Sequence, residues 1–511
     1  MAEPRLEHQT VKIRQMVENY RLGRVVIPEF QREYVWRPSK ASLLIDSLYR
    51  GFPAGSLLLW QSDESVRERR RDPRPSGSPL VSWLIDGQQR VITLSRAMHG
   101  DEGIDIVFNP NEQQFRRSNA ATQADSNWVR VADLWDDAKY RDLRRSLGTG
   151  KDADRREAQF EKVRLIRDYE IPVVRMIDHS FDAAVKAFTR INTLGVRLKN
   201  EDIESAQVAA RHSGFVVDQV QPFLKDLRQQ GFDRLNVMHL FRACAFVATP
   251  DGRNRTPLHA LDRRDVLSAW KKTERATEQA LALIRSELGL VNMDVLWSGA
   301  LVVPVIALCA IMSPRQRNSK ELAAWVALAA LCHRYSRSTE TALDQDLRAC
   351  RSQNPIGSLL ANLRKVRSLT AKPKDFTGSL ADRSGLLAVY IACMQRGILD
   401  FYSGGKVLLQ SNVDRHHILP RAQFHESERH LADNLANMAF IAGDINKSIG
   451  HSGPEVYLSQ VKPRVLKSQC IPADKALWRV DKAESFWRAR RSLLAEAFNE
   501  YIRSALPRRW M

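Results

Sequence analysis

Two histidines stand side by side in the stretch VDRHHILPRAQF, residues 413–424 of a 511-residue chain that holds twelve. Five of the twelve (His416, His417, His425, His430 and His451) crowd between positions 416 and 451. Imidazole takes a proton near neutral pH and also ligates metals through a ring nitrogen, so such crowding asks for chemistry of one kind or the other. Further on, DNLANMAFIAGDINKSIG (433–450) carries Asn437 and Asn446, nine residues apart. A second candidate lies near the other end, at Asp86-Gly87-Gln88-Gln89-Arg90. Gly87 permits a tight turn from a strand into a helix, whose first N–H groups and dipole attract an anion. Arg90 would add charge there, and Asp86 could hold a cation or a ribose hydroxyl. An exposed polar helix start is the plainer alternative for those five residues.

Local patterns say which elements must position these side chains. VDRHHILP suits a strand ended by Pro420, and in a strand successive side chains point to opposite faces. His416 and His417 should therefore diverge and hold different roles. Asn446 and Lys447 should lie on a short helix introduced by Gly443 and Asp444 and ended by Gly450. SLLLWQ (56–61), VSWLID (81–86) and EIPVVRM (170–176) read as strands. RPSKASLLIDSLYRG reads as a helix opened by Pro38 and Ser39 and closed by Gly51, and FDAAVKAFTRIN reads as another. Between two of the strands, SDESVRERRRDPRPSGSP balances five arginines against four acids, as a solvated loop would. From about 201 to 385 apolar residues recur at helical spacing, and a further helix after 386 leads to FYSGG. The uncharged run VLWSGALVVPVIALCAIM (295–312), with the apolar LAAWVALAALCH (322–333) after it, predicts a buried helical hairpin rather than a membrane span. The fold class expected is α+β and multidomain, divided at 1–210, 211–385 and 386–511.

Two resemblances sharpen these expectations. The pattern HHILP…N…N-K resembles the HNH, or ββα-metal, nuclease finger. That likeness implies His417 as general base, His416 and Asn446 as metal ligands, and Asn437 as the residue that fixes the loop bearing the base. It groups Lys447 with the catalytic positions and brings Asp414 in beside the ligands. Oxygen and imidazole donors without thiolate suit Mg²⁺, Mn²⁺ or a similar divalent ion. At the other end, IPEFQREYVW (27–36), WLIDGQQRVITL (83–94) and FTRINTLGVRL (188–198) together resemble the domain that opens GmrSD-type restriction proteins, an α/β domain of ParB-like fold. The resemblance implies binding and hydrolysis of a nucleoside triphosphate, GTP, ATP or another. Asp86, Gly87, Gln88, Gln89 and Arg90 would line that site, with Arg32, Arg190 and Asn192 as companions. Tyr34 and Trp36 could contact an unusual base or sulfur, although packing is their simpler role.

Such an order of parts, with a largely helical middle, is that of single-chain GmrSD-like proteins and of the phosphorothioate-sensing antiphage nucleases of the Ssp type. It implies a nucleotide-regulated DNA endonuclease or nickase of bacterial defence that senses phosphorothioate or glucosylated hydroxymethylcytosine in double-stranded DNA. A nucleotide-switched DNA-binding module with a non-cleaving finger, and a nuclease directed at RNA, are the alternatives.

Composition agrees and excludes several other classes. Lys and Arg number 78 against 59 Asp and Glu, a net charge of +19, which favours a polyanionic partner. Within the C-terminal part the basic excess lies in the flank of the histidine stretch: residues 401–455 hold five basic against six acidic side chains, and 456–511 hold twelve against five. That flank interleaves Trp478, Trp487 and Trp510, which read as core. Six scattered cysteines with no C-x-x-C pair argue against a zinc ribbon or a disulfide framework and fit a cytoplasmic protein. The N-terminal MAEPRLEHQTVKIRQ lacks the apolar core of a signal peptide. GTGK (148–151) is no P-loop, since Arg145 stands where glycine is needed and Asp152 where serine or threonine is. Partners expected are modified DNA and nucleotide, without a membrane; a homodimer is left open.

Overall fold

The computed structural model describes residues 3–31, 34, 36–61, 81–100, 104–194, 200–250, 256–407, 413–449 and 452–510. Side chains of 192–194, 200, 202, 447 and 448 fall outside this description, as do Arg32 and the arginine-rich loop 62–79. The chain divides into two compact units, Met1–Val217 and Asp218–Met511.

The first unit is mixed α/β. Its sheet has the order β1-β8-β3-β4-β2, formed by β1 (Arg5–Lys12), β2 (Val25–Val26), β3 (Leu57–Gln61), β4 (Ser82–Asp86) and β8 (Glu170–Ile177). β8 runs antiparallel to β1 and parallel to β3, and β4 runs antiparallel to β3 and parallel to β2. Leu57, Leu59, Leu84, Ile171 and Val173 are buried in these strands. They pack with Ile45 and Leu48 of the helix Pro38–Tyr49 and with Val91 and Leu94 of the helix Gln88–His99. Burial on both faces explains why central strands such as LLLWQ read as continuous apolar runs. A smaller sheet joins β5 (Ile106–Asn109), β6 (Gln114–Arg117) and β7 (Val129–Arg130).

The second unit is predominantly helical. Its largest core gathers the helices Val303–Ile311, Ser319–Leu331, Arg383–Gln395 and Ala483–Ala505. The uncharged run is thus buried, but as no hairpin: its helix Val303–Ile311 packs on Val237–Ala248 and Arg263–Leu288, and Ser319–Leu331 packs on Arg383–Gln395. Pro304 sits in the first turn of a nine-residue helix, where its missing N–H costs nothing. Among the described residues no helix is long and apolar enough to cross a membrane. The boundary expected at 385/386 falls inside the helix Arg383–Gln395, buried from Ser384 to Cys393. The helical middle and the histidine-bearing segment share this core, which also takes in Met438 and Phe440. A second cluster, including Ile418, Leu419, Phe424, Ile441, Trp478 and Trp487, lies under the histidine segment itself.

Candidate functional site

β9 (Val413–His417) pairs antiparallel with β10 (Met438–Ala442), and the helix Gly443–Ile449 follows directly. The period of two sets Asp414 and His416 on one face of β9 and Arg415 and His417 on the other. Asn446, on the helix, meets the first pair. Its Nδ2 donates to Asp414 Oδ2 at 3.0 Å, and its Oδ1 lies 2.8 Å from His416 Nδ1. The Asp414 carboxylate therefore orients the amide of Asn446, and the donor atoms offered to an ion are His416 Nδ1 and Asn446 Oδ1. His416 is 5% exposed, and burial pulls its pKa down to about 4, which keeps the ring in the neutral form that a metal requires. Its Nε2 lies 3.2 Å from the hydroxyl of Tyr457, on the helix Pro454–Gln460.

His417 faces a different partner. Its Nε2 is 2.9 Å from Asp433 Oδ1, so the carboxylate accepts the Nε2 proton and leaves Nδ1 able to take another. Asn437, expected by resemblance to fix the loop that bears the base, has no exposed surface. Its Oδ1 accepts from Leu419 N at 2.9 Å, while its Nδ2 donates to Leu419 O at 2.9 Å and Ala432 O at 2.8 Å. It acts on the turn after His417 and not on a ligand. Lys447 lies on the helix, with its side chain outside the described residues. An open pocket of about 520 Å³ is lined by both histidines, Asn446, Arg415, Arg421 and Arg429, together with Pro420 and Ala422. From below, Arg490 of the helix Ala483–Ala505 is fully buried and donates to Ala436 O (2.9 Å), Met438 O (2.7 Å) and Gln469 O (2.9 Å).

The donor set fits a hard divalent cation through one imidazole and one amide oxygen, with the remaining positions left to water or substrate. Among the described residues no group of three His, Cys, Asp or Glu could hold an ion by itself.

In the first unit, Asp86 ends β4 and Gly87 (φ +94°) begins the turn into the helix Gln88–His99. A Cβ on Gly87 would stand 2.2 Å from Leu57 Cδ2, so glycine is needed for both space and backbone. Arg90 does not stand open to an anion. Its Nη2 pairs with Asp86 at 3.1 Å, its Nη1 donates to Ala54 O at 2.8 Å, and a Cβ on Gly55 would approach Nη1 to 2.4 Å. The guanidinium fills a slot between two glycines, and burial lowers its pKa from the ordinary value. Gln88 and Gln89 are buried, and Gln89 Oε1 accepts from the Trp36 backbone N at 3.3 Å.

The three N-terminal stretches do converge. Gln31 donates to the carbonyls of Leu84 (3.3 Å) and Ile85, next to Asp86. Phe30 meets Phe188 edge-on at 5.6 Å, within the helix Phe181–Leu194. Arg190 is exposed on that helix; the side chain of Asn192, like Arg32, lies outside the described residues. Tyr34 and Trp36 are half-buried and pack against the core. The Tyr34 hydroxyl lies 2.9 Å from Thr93 Oγ1, and the Arg96 guanidinium sits 4.6 Å from the Tyr34 ring centre.

Sequence reasoning passed over Asp433, Tyr457, Arg490 and the arginines of the pocket. Only the last had a signal, the Arg at 415, 421 and 429 within a histidine-rich stretch.

Residues 13–209 match the family model described as GmrSD restriction endonuclease, N-terminal domain. The first unit thus carries a domain of a restriction-associated family, in keeping with its mixed α/β sheet. No curated protein matches the chain.

Proposed function

We propose that the chain is a divalent-metal-dependent DNA endonuclease or nickase of bacterial antiphage defence. Residues 386–511 would carry an HNH finger, and residues 1–210 a ParB-like domain that binds and hydrolyses a nucleoside triphosphate and senses the DNA modification. The observation that carries this reading is the divergence of His416 and His417: one neutral imidazole beside an amide oxygen, the other backed by a carboxylate.

A bound Mg²⁺ or Mn²⁺ would supply charge against the non-bridging and leaving oxygens of a phosphodiester. His416 and Asn446 would hold it. His417 Nδ1 takes a proton from water as the water oxygen attacks phosphorus and the opposite P–O bond breaks. Asp433 keeps the ring in the tautomer that can do so and stabilises the imidazolium formed. Asn437 holds the turn that aims the ring. Arg415, Arg421 and Arg429 would grip the phosphates, and phosphate contacts fix the register of a duplex without reading its sequence. In the first unit, the Asp86–Arg90 pair braces the turn, and the helix start with Gln88 and Gln89 would meet the nucleotide, with Arg190 as a proposed companion; Arg32 and the Asn192 side chain, proposed with it, lie outside the described residues. Tyr34 and Trp36 are the side chains proposed to meet a phosphorothioate or a glucosylated base.

The test is cleavage of supercoiled plasmid with Mg²⁺ or Mn²⁺, comparing unmodified, phosphorothioated and glucosylated DNA with and without GTP. Cutting confined to one modified substrate is expected. His417→Ala should abolish it while nucleotide hydrolysis persists; cutting at the wild-type rate by that variant would sink the assignment of the base. Among the described residues two protein donor atoms stand at the ion position, which favours a second reading, a nucleotide-switched DNA-binding module whose finger does not cut. Binding without cleavage of DNA or RNA across several divalent metals would support it.

A further inference from the structure

We propose that Tyr457 is a positioning residue that sets the ring tautomer of His416, so that Nδ1 presents a bare lone pair to a divalent cation. This rests on the reading of His416 and Asn446 as metal donors, and it can be tested apart from any cleavage.

The argument is one of counting protons. A phenol has a single O–H. The Tyr457 oxygen lies 2.5 Å from the carbonyl oxygen of Ile418, and two oxygens approach that closely only with a proton between them. That O–H is committed to Ile418. Toward His416 Nε2, at 3.2 Å, Tyr457 can then only accept, which draws the ring proton to Nε2 in competition with the acceptor Asn446 Oδ1 beside Nδ1. A neutral imidazole carries one such proton, and with it on Nε2, Nδ1 is left without any.

Nδ1 faces Asn446 Oδ1 at 2.8 Å. The amide cannot turn its NH₂ there without losing the bond from Nδ2 to Asp414 Oδ2. Two acceptors are thus held face to face. A cation between them relieves the conflict. Donors at about 2.1 Å in an octahedral shell stand roughly 3 Å apart along an edge, close to the separation held here. A ring nitrogen that ligates a metal usually has its tautomer fixed by a partner on the other nitrogen, and here a tyrosine fills that role.

The ring of Tyr457 also stacks on Phe401, with centroids 6.1 Å apart, and Phe preserves that packing. The experiment therefore uses full-length Tyr457→Phe beside the wild type. Mn²⁺ affinity is measured by calorimetry or electron paramagnetic resonance, and the His416 ring tautomer by ¹⁵N NMR of the metal-free protein. Weaker Mn²⁺ binding by about tenfold or more is expected. Thermal stability without metal should fall only modestly, since the buried Ile418 carbonyl loses its donor, and the Nε2–H tautomer of the wild type should give way to a mixture. If cleavage occurs, saturating Mn²⁺ should restore it in the variant.

Equal Mn²⁺ affinity and an unchanged tautomer would overturn the inference even if the wild type cuts DNA. Failure of the wild type to bind Mn²⁺ at all would overturn it too. Weakened binding in a protein that cuts nothing would uphold it and bring down the nuclease reading instead.

Discussion

A buried amide, a buried guanidinium and a glycine show how single residues decide the two sites. Asn437 behaves as part of the backbone, joining Leu419 and Ala432 through three hydrogen bonds. Gly87 is equally constrained. Gly87→Ala should cost about 2 kcal/mol or more, since a left-handed residue with a Cβ costs 1–2 kcal/mol and the clash with Leu57 adds to it. Urea unfolding followed in the first unit measures this, and a variant as stable as wild type would mean that the turn adjusts freely. At this scale the sequence disclosed residues whose types are rare in combination: His416, His417, Asn437 and Asn446. It did not disclose Asp433 or Tyr457, which meet the histidines across 16 and 41 residues of chain. An acid before an asparagine and an aromatic on a helix look like ordinary surface and core until tertiary contacts join them. The charge of Arg90 is plain from sequence, and Asp86 four residues before it is a partner that the spacing offers, but the bond to Ala54 O across 36 residues is not legible there.

Elements were read best where burial writes a pattern. The strands expected at 56–61, 81–86 and 170–176 appear as Leu57–Gln61, Ser82–Asp86 and Glu170–Ile177, and the short helix before Gly450 as Gly443–Ile449. β1 was passed over because it is an edge strand, exposed along most of its length, and carries no apolar alternation. One helix makes a testable statement about acid. The helix Val237–Ala248 opens with a capping box in which Asn236 Oδ1 accepts from His239 N (3.0 Å) and His239 Nδ1 accepts from Asn236 N (3.2 Å). Burial lowers the pKa of His239 to about 4 from an unfolded value near 6.5. Its stabilisation is therefore complete above pH 6.5 and drains away as pH falls toward 4, because the unfolded chain binds the proton first. His239→Gln keeps a residue able to close the box and removes the titration. Urea midpoints between pH 7 and 4.5 should fall less steeply in that variant than in the wild type; parallel declines would assign the acid sensitivity elsewhere.

For the whole molecule, charge and core deliver different lessons. The net charge of +19 was legible at once and speaks to the partner, not the fold. The chain divides into two compact units after Val217. Apolar periodicity cannot distinguish a helix that closes one domain from a helix shared by two segments, and Arg383–Gln395 is of the second kind. The charge prediction is quantitative. In the non-cutting His417→Ala background, alanine at Arg415, Arg421 or Arg429 should each reduce the slope of log K against log salt for duplex DNA by about 0.9. The loss should be uniform across sequences. Fluorescence anisotropy at several salt concentrations reads this, and slopes equal to the parent's would remove the pocket arginines from the DNA contact.

Arg490 bears on how such a site can be inherited or borrowed. Its guanidinium holds the carbonyls on either side of Asn437 from a helix 54 residues further along the chain. The histidine hairpin is therefore not a cassette. Grafted elsewhere as residues 413–449, it would arrive with its scaffolding left behind, its carbonyls at Ala436 and Met438 without their donor. Recombination that shuffles this chemistry between proteins must carry the distant helix along or find a substitute for one arginine.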